Sequence, residues 1–305
     1  MSGTTIKRGM GWLPDYPDFR DYTIDQDNVS PKLKQLGQKD SVKGMLKKIG
    51  VSDPTRSELP ASVKLREWCS SIEDQGELGS CTAHAGVGIV EYFEKRAFGK
   101  HIDASRLFLY KVTRNLMNLT GDTGAFLRTT MEAMVLFGVP PEEYWQYSIA
   151  DFDKEPSAFL YAFAQNYQAI SYYRLDPPET TKEVLLDRIK TFLAAGLPSM
   201  FGFTVYSSIE QAGKTGLIPY PISGEKDLGG HAVVTVGYDE KMKIKNINPG
   251  GKETTGALLI RNSWGTGWGE HGYGWLPYAY VLKGLAIDWW SLLKNEWVDT
   301  GTFKL

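Results

Sequence analysis

The hydrophobic pattern of this 305-residue chain changes period part-way along, and that change most limits the folds open to it. From Cys81 onward, apolar or small residues recur at Gly86, Val87, Val90, Phe93 and Ala97, with Ala85, Ile89 and Tyr92 beside them. That is the 3.6-residue period of an α-helix with a broad buried face. Ser80 stands where a side chain would cap the first turn, which puts Cys81 at the helix start. Further helices are predicted at about 104–118, 126–137 and 181–195, the last two stopped by Gly138-Val-Pro-Pro141 and Gly196-Leu-Pro198. Beyond about residue 165 come short runs rich in β-branched and aromatic residues, at 198–205, 231–238 and 257–262. Lys241 to Thr255 reads as a polar loop around an Asn-Pro-Gly-Gly turn. A helical half (about 61–165) followed by a β-rich half (about 166–305) is an α+β arrangement with a cleft between the two.

Residues 1–60 differ from this 61–305 domain. Trp12-Leu-Pro-Asp-Tyr-Pro-Asp-Phe-Arg-Asp-Tyr22 precedes a Lys-rich stretch, and prolines at 14, 17, 54 and 60 interrupt regular structure. So many aromatic residues predict an extension that lies on the main domain. The formal net charge of −2 leaves no basic footprint for nucleic acid or anionic membrane, so neither is expected as a partner. Without a signal-peptide run or a membrane-length apolar stretch, the expectation is a cytoplasmic protein, or one exported by another route. Two cysteines, Cys69 and Cys81, fit a reducing compartment, and with four histidines they show no metal-ligand spacing.

Three segments concentrate the chemistry. Asp74-Gln-Gly-Glu-Leu-Gly-Ser-Cys-Thr-Ala-His84 puts a cysteine at a helix start, six residues after a glutamine. Gly229-Gly-His-Ala-Val-Val-Thr-Val-Gly-Tyr238 opens a strand with a histidine, 150 residues beyond Cys81. Arg261-Asn-Ser-Trp-Gly-Thr-Gly-Trp-Gly-Glu-His-Gly-Tyr273 ends a strand with an asparagine. A helix N-terminus and a nearby imidazolium both favour the reactive thiolate. An asparagine oxygen can accept from the second imidazole nitrogen and orient the ring. A glutamine amide, with the nucleophile's own N–H, can receive a developing oxyanion.

In order and wording the three segments resemble the papain family of cysteine peptidases. Weaker likeness covers Gly121-Asp-Thr-Gly124 and Glu143-Tyr-Trp-Gln-Tyr147, so the resemblance runs from about 60 to 285, and the Trp-Leu-Pro-Asp start is similar to bacterial members. The resemblance implies a papain-like two-subdomain fold and an endopeptidase working through a thioester, with peptide or protein substrates and no metal or organic cofactor. It implies Cys81 as nucleophile, His231 as general base and acid, Asn262 orienting His231, and Gln75 in the oxyanion hole. Trp264 would shield the His–Asn bond, and Gly79, Gly124 and Ala232 would line the substrate groove. Leu78 replaces a usual second cysteine, Thr82 a usual tryptophan and His84 a usual phenylalanine, while the His-to-Asn interval of 31 residues is long for the family.

Each signal has a plainer competitor. Cys69, after Trp68, is expected to be a core thiol. His84 lies one turn beyond Cys81 and would point along the helix, not across the cleft. The Gly-rich 265–274 run lacks a phosphate loop's Gly-Lys-Ser/Thr ending and reads as a tight turn. His101 and His271 are expected on the surface or in loops, and the Trp289-Trp290 pair in the core. Acyl transfer to an amine, or deconjugation, would use the same residues, whereas a silent peptide-binding module would have no use for the full Gln, Cys, His and Asn set. The chain is expected to be a monomer. Its extension is expected to cover the cleft as in a zymogen, so that deleting residues 1–56 raises turnover.

Overall fold

The computed structural model describes residues 8–51, 58–168 and 171–305. Two short helices come first, α1 (Pro31–Gln35) and α2 (Val42–Lys48). Each is begun by a serine hydroxyl that accepts a backbone N–H three residues on, Ser30 from Leu33 and Ser41 from Gly44. Strand β1 (Ser62–Lys64) follows, then α3 (Cys81–Phe98), α4 (Arg106–Leu116), α5 (Leu127–Leu136) and α6 (Ala158–Ala164). The β-rich half holds β2 (Ser171–Arg174), α7 (Lys182–Ala194), β3 (Ser199–Tyr206), β4 (Asp227–Lys245), β5 (Glu253–Arg261) and β6 (Tyr273–Pro277). It closes with α8 (Tyr278–Leu282), β7 (Ala286–Leu293) and α9 (Asn295–Val298).

The strands form one antiparallel sheet in the order β2-β7-β3-β4-β5-β6, with β1 alongside β4. Helix α3 is buried along most of its length, because it packs on α4 and α5 at one side and on β3 and β4 at the other. Its all-round apolar and small residues answer to that position. The start of α3 therefore meets the strand that carries His231.

Three local readings change. Ser80 is the residue before α3, but its side chain does not cap the helix. Its hydroxyl instead meets Tyr147 Oη at 2.7 Å and His84 Nδ1 at 3.3 Å. The stretch from Lys241 to Thr255 is a hairpin and not a loop, with Lys243 paired to Thr255 and Lys245 to Glu253. Ile244, buried between exposed lysines, supplies the alternation that keeps the strand going. Strand β7 escaped the sequence reading because its residues from Asp288 to Leu293 are buried on both faces and show no period of two. Trp289 and Trp290 lie in it, fully buried.

The N-terminal residues divide into two parts. Val42, Met45, Leu46, Ile49 and Val51 are buried in the same core as Trp297 and Phe303. Asn295 Oδ1 accepts the N–H groups of Lys39 (2.9 Å) and Asp40 (3.1 Å), and the Leu305 N–H donates to the Ile49 carbonyl (3.0 Å). Residues 9–13, by contrast, run across the cleft, hydrogen-bonded to Gly76 and Ala125 on one side and to Gly230 of β4 on the other. Among the described residues no helix is long and apolar enough to cross a membrane.

Candidate active site

Cys81 is the first residue of α3, so its sulfur sits among the unpaired N–H groups of the helix start. The Ala232 N–H donates to Cys81 Sγ at 3.3 Å across the cleft. The N–H groups of Thr82, Cys81 and Trp12 also favour the thiolate, yet burial outweighs them and pushes the thiol up to about 12. Cys69, the other thiol, is buried and free, as a core residue.

His231 lies on β4, opposite Phe203 of β3. Its Nε2 is 2.8 Å from Asn262 Oδ1, the residue just past β5. The imidazole stacks on Trp264, with ring centroids 4.4 Å apart and an interplanar angle of 21°. Its Nδ1 is buried without a hydrogen-bond partner. Burial pulls this histidine down to about 4 against the raising effect of Asn262, with the charge of Arg8 adding to the fall. Burial thus favours the neutral ring, whose Nδ1 is left without a partner.

Gln75 is fully buried and fixed from several directions. Its N–H donates to the Ser263 carbonyl at 2.9 Å, and its Oε1 accepts from Ser263 Oγ at 2.5 Å. Its Nε2 donates to the Leu78 carbonyl (2.8 Å) and to the Gly9 carbonyl (3.1 Å). Gly79 donates its N–H to Asp122 Oδ1 and Gly124 its N–H to Tyr110 Oη, so both groove-side glycines are held by helix-borne or loop polar groups.

Residues 8–13 fill the space between these parts. The Ala125 N–H donates to the Gly11 carbonyl (2.7 Å) and the Leu13 N–H to the Ala125 carbonyl (3.0 Å). From the other wall, the Gly230 carbonyl accepts the N–H groups of Gly11 (3.1 Å) and Trp12 (3.2 Å). Trp264 Nε1 donates to the Gly9 carbonyl, and the Arg8 guanidinium lies over the Trp264 ring while donating to its carbonyl. A Cβ on Gly11 would come within 2.0 Å of the Gly79 carbonyl oxygen, so only glycine lets the segment lie this close. Trp12, 4% exposed, donates from its indole Nε1 to Asp288 Oδ2 at 3.0 Å.

The fold thus brings Cys81, His231, Asn262, Gln75, Ala232 and Trp264 to one place, and Gly79 and Gly124 to its edge. Gly9, Gly11, Ser263 and Asp288 join them without having been expected from the sequence. The glycines two apart before Trp12 were a readable signal of close backbone approach. Asp288 had no local signal, because its meeting with Trp12 spans almost the whole chain. His84 faces Ser80 and Tyr147, one turn beyond Cys81, and burial pulls it down to about 3.

The profile of the papain family cysteine proteases matches residues 59–281. A peptidase C1-like protein of Acanthamoeba polyphaga mimivirus is 34% identical over 300 residues, covering 96% of this chain and 89% of the viral protein. Xylellain, a cysteine protease from Xylella fastidiosa, has 30% sequence identity and a TM-score of 0.71, over 94% of this chain and 97% of its own. The digestive procathepsin L 3 of Tenebrio molitor shares the fold at 19% identity and a TM-score of 0.59, over 94% of this chain and 76% of its own. With the profile spanning both halves of the α+β fold and the cleft between them, the chain belongs to the papain family and is a cysteine peptidase, acting on peptide or protein substrates.

Proposed function

We propose that Cys81 is the nucleophile, His231 the general base and then acid, Asn262 the group that orients His231, and Gln75 with the Cys81 N–H the oxyanion donors. One observation carries the reading: the His231 imidazole is tied to Asn262 by one nitrogen and free at the other, while its neighbour Ala232 touches the Cys81 sulfur. The thiol proton passes to His231 as sulfur attacks the scissile carbonyl carbon. The C–N bond then breaks, and the amine leaves with the proton that His231 held. Water gives a proton to the same imidazole, its oxygen attacks the thioester, and acid and thiol are released. Trp264 shields the His–Asn hydrogen bond from water, and Gly79, Gly124 and Ala232 line the groove.

In this reading residues 9–13 restrain the enzyme. They take up the backbone positions at Ala125 and Gly230 and one of the Gln75 amide hydrogens. They also dry the site, and burial of sulfur and imidazole favours the neutral pair over the thiolate–imidazolium pair. Latency is thus electrostatic as well as steric. Hydrolysis of a fluorogenic peptide by the full-length chain and by Gly11→Val tests both points. Gly11→Val, which cannot lie against Gly79, should turn over peptide at least about tenfold faster than wild type, and adding Cys81→Ala should abolish the gain. Equal rates in a folded Gly11→Val protein would remove the restraint, and activity that survives Cys81→Ala would remove the nucleophile.

A further inference from the structure

On the helical half, four aromatic rings meet at the surface. Phe159 and Phe163 stand one turn apart on α6 and stack, with centroids 5.5 Å apart and an interplanar angle of 10°. Tyr144 meets Phe163 edge-on at 4.8 Å, and Tyr167 does so at 5.5 Å. Phe159 is 60% exposed and Tyr144 47% exposed. Contiguous exposed apolar surface of this kind marks a contact site, unlike rings scattered singly. Beside the rings an open groove of about 600 Å³ is lined by Ile102, Asp103, Glu142, Glu143 and Tyr167.

Both kinds of group on this surface attract cations, the ring faces through their quadrupole and the carboxylates through their charge. Asp103 is paired with Arg106, but the exposed Glu143 makes no ion pair among the described residues. Other rings of the chain carry a guanidinium of their own. Arg20 lies over Phe19 at 5.7 Å, Arg66 over Tyr273 at 4.1 Å and Arg8 over Trp264 at 5.3 Å. Among the described residues no cation lies over Tyr144, Phe159, Phe163 or Tyr167. The surface is also near the cleft. Tyr144 comes three residues before Tyr147, a span of at most about 11 Å. The Tyr147 hydroxyl meets Ser80 Oγ at 2.7 Å and donates to the Gln75 carbonyl at 3.0 Å. Ile149, 45% exposed, lies against Gly76, whose carbonyl accepts the Gly9 N–H in the cleft.

We propose that the rings of Tyr144, Phe159 and Phe163, with the groove beside Glu143, form a docking site outside the cleft for an extended, arginine-rich segment of a protein substrate. Guanidinium groups lie over the exposed ring faces and pair with the groove carboxylates, while a neighbouring stretch of the same polypeptide enters the cleft. Docking raises the local concentration of the scissile segment and acts on KM. A second copy of this chain fits the face less well, because a symmetric contact would set the acidic groove against itself. The inference rests on the reading of the Cys81 cleft as the peptidase site, but its binding measurement needs no cleavage.

The first measurement is the fluorescence anisotropy of a labelled Arg-Gly repeat peptide with full-length Cys81→Ala protein, whose cleft holds its own residues 9–13. The peptide should bind at physiological salt, and a Glu-Gly repeat should not. Phe159→Ser and Glu143→Lys, both at exposed positions, should each weaken binding by about fivefold or more. The second measurement uses full-length Gly11→Val protein and two fluorogenic peptides identical around the scissile bond. One of them carries the Arg-Gly repeat, tried at either end. At one end the repeat should raise kcat/KM by about fivefold or more through KM. Adding Phe159→Ser should remove that gain and leave turnover of the bare peptide within about twofold. Absence of binding, or a binding and a gain that neither substitution moves, would overturn the proposal. So would a concentration-dependent dimer in sedimentation that Phe159→Ser dissolves, since the face would then be a self-interface. If neither peptide is cleaved, the Cys81 reading falls, and the anisotropy result alone decides the docking site.

Discussion

At the scale of single residues, Gln75, the proposed oxyanion donor, is fully buried and hydrogen-bonded through its backbone and both side-chain polar atoms. Ser263 fixes both its backbone and its side-chain oxygen, and its amide nitrogen donates to the Leu78 carbonyl and to the Gly9 carbonyl of the segment in the cleft. Gln75→Ala should lower kcat by about 100- to 1,000-fold with a smaller effect on KM, since the amide acts on charge that develops only in the transition state. Steady-state kinetics in the Gly11→Val background would check this, and an effect confined to KM would move Gln75 to substrate binding. The glutamine, cysteine, histidine and asparagine were readable because each lies inside a short motif at a helix start or strand end. Ser263 sits inside the Asn-Ser-Trp motif, yet its role depends on a partner 188 residues away, and no local pattern reports that.

Among the elements, the N-terminal stretch behaves as two pieces with different fates. Segment 9–13 contributes backbone hydrogen bonds to the cleft walls, whereas α2 contributes Val42, Met45, Leu46 and Ile49 to the core. Burying four such side chains is worth roughly 6–12 kcal/mol, about the whole stability of an ordinary domain. Deleting residues 1–14 should therefore leave a folded, more active enzyme, while deleting 1–56 should give a chain that unfolds at much lower temperature or does not fold. Thermal melts of the two truncations distinguish them, and equal melting temperatures would contradict the division. Proline and aromatic punctuation marked the stretch as distinct from the rest of the chain. It could not show where the removable part ends, because the apolar face of α2 is short and matches a face made by α9 and the last residues.

For the whole molecule, acid response comes from buried groups that pull in opposite directions. Burial lowers His84 to about 3 and His231 to about 4, so between those values and the ordinary 6.5 the unfolded chain binds more protons than the folded one. Stability from these two rings is present above pH 6.5 and is lost as pH falls. Glu142 and Asp288, both raised to about 7 by burial, have the opposite effect over much of the same range. A difference between wild type and a single variant separates one ring from these opposing groups. His84→Gln should gain about 2 kcal/mol relative to wild type between pH 6.5 and pH 5, measured by chemical denaturation at the two pH values. No relative gain would mean that His84 is protonated in the folded protein. The central claim, a Cys81 nucleophile restrained by the segment through Gly11 and Trp12, is tested most directly by intact mass after timed exposure to an epoxysuccinyl inhibitor. Full-length wild type, Gly11→Val and Gly11→Val with Cys81→Ala would be compared. One adduct is expected on the first two, formed at least about tenfold faster on Gly11→Val, and none on the third, with Cys69 unlabelled throughout. An adduct on the Cys81→Ala protein, or equal rates for wild type and Gly11→Val, would contradict it.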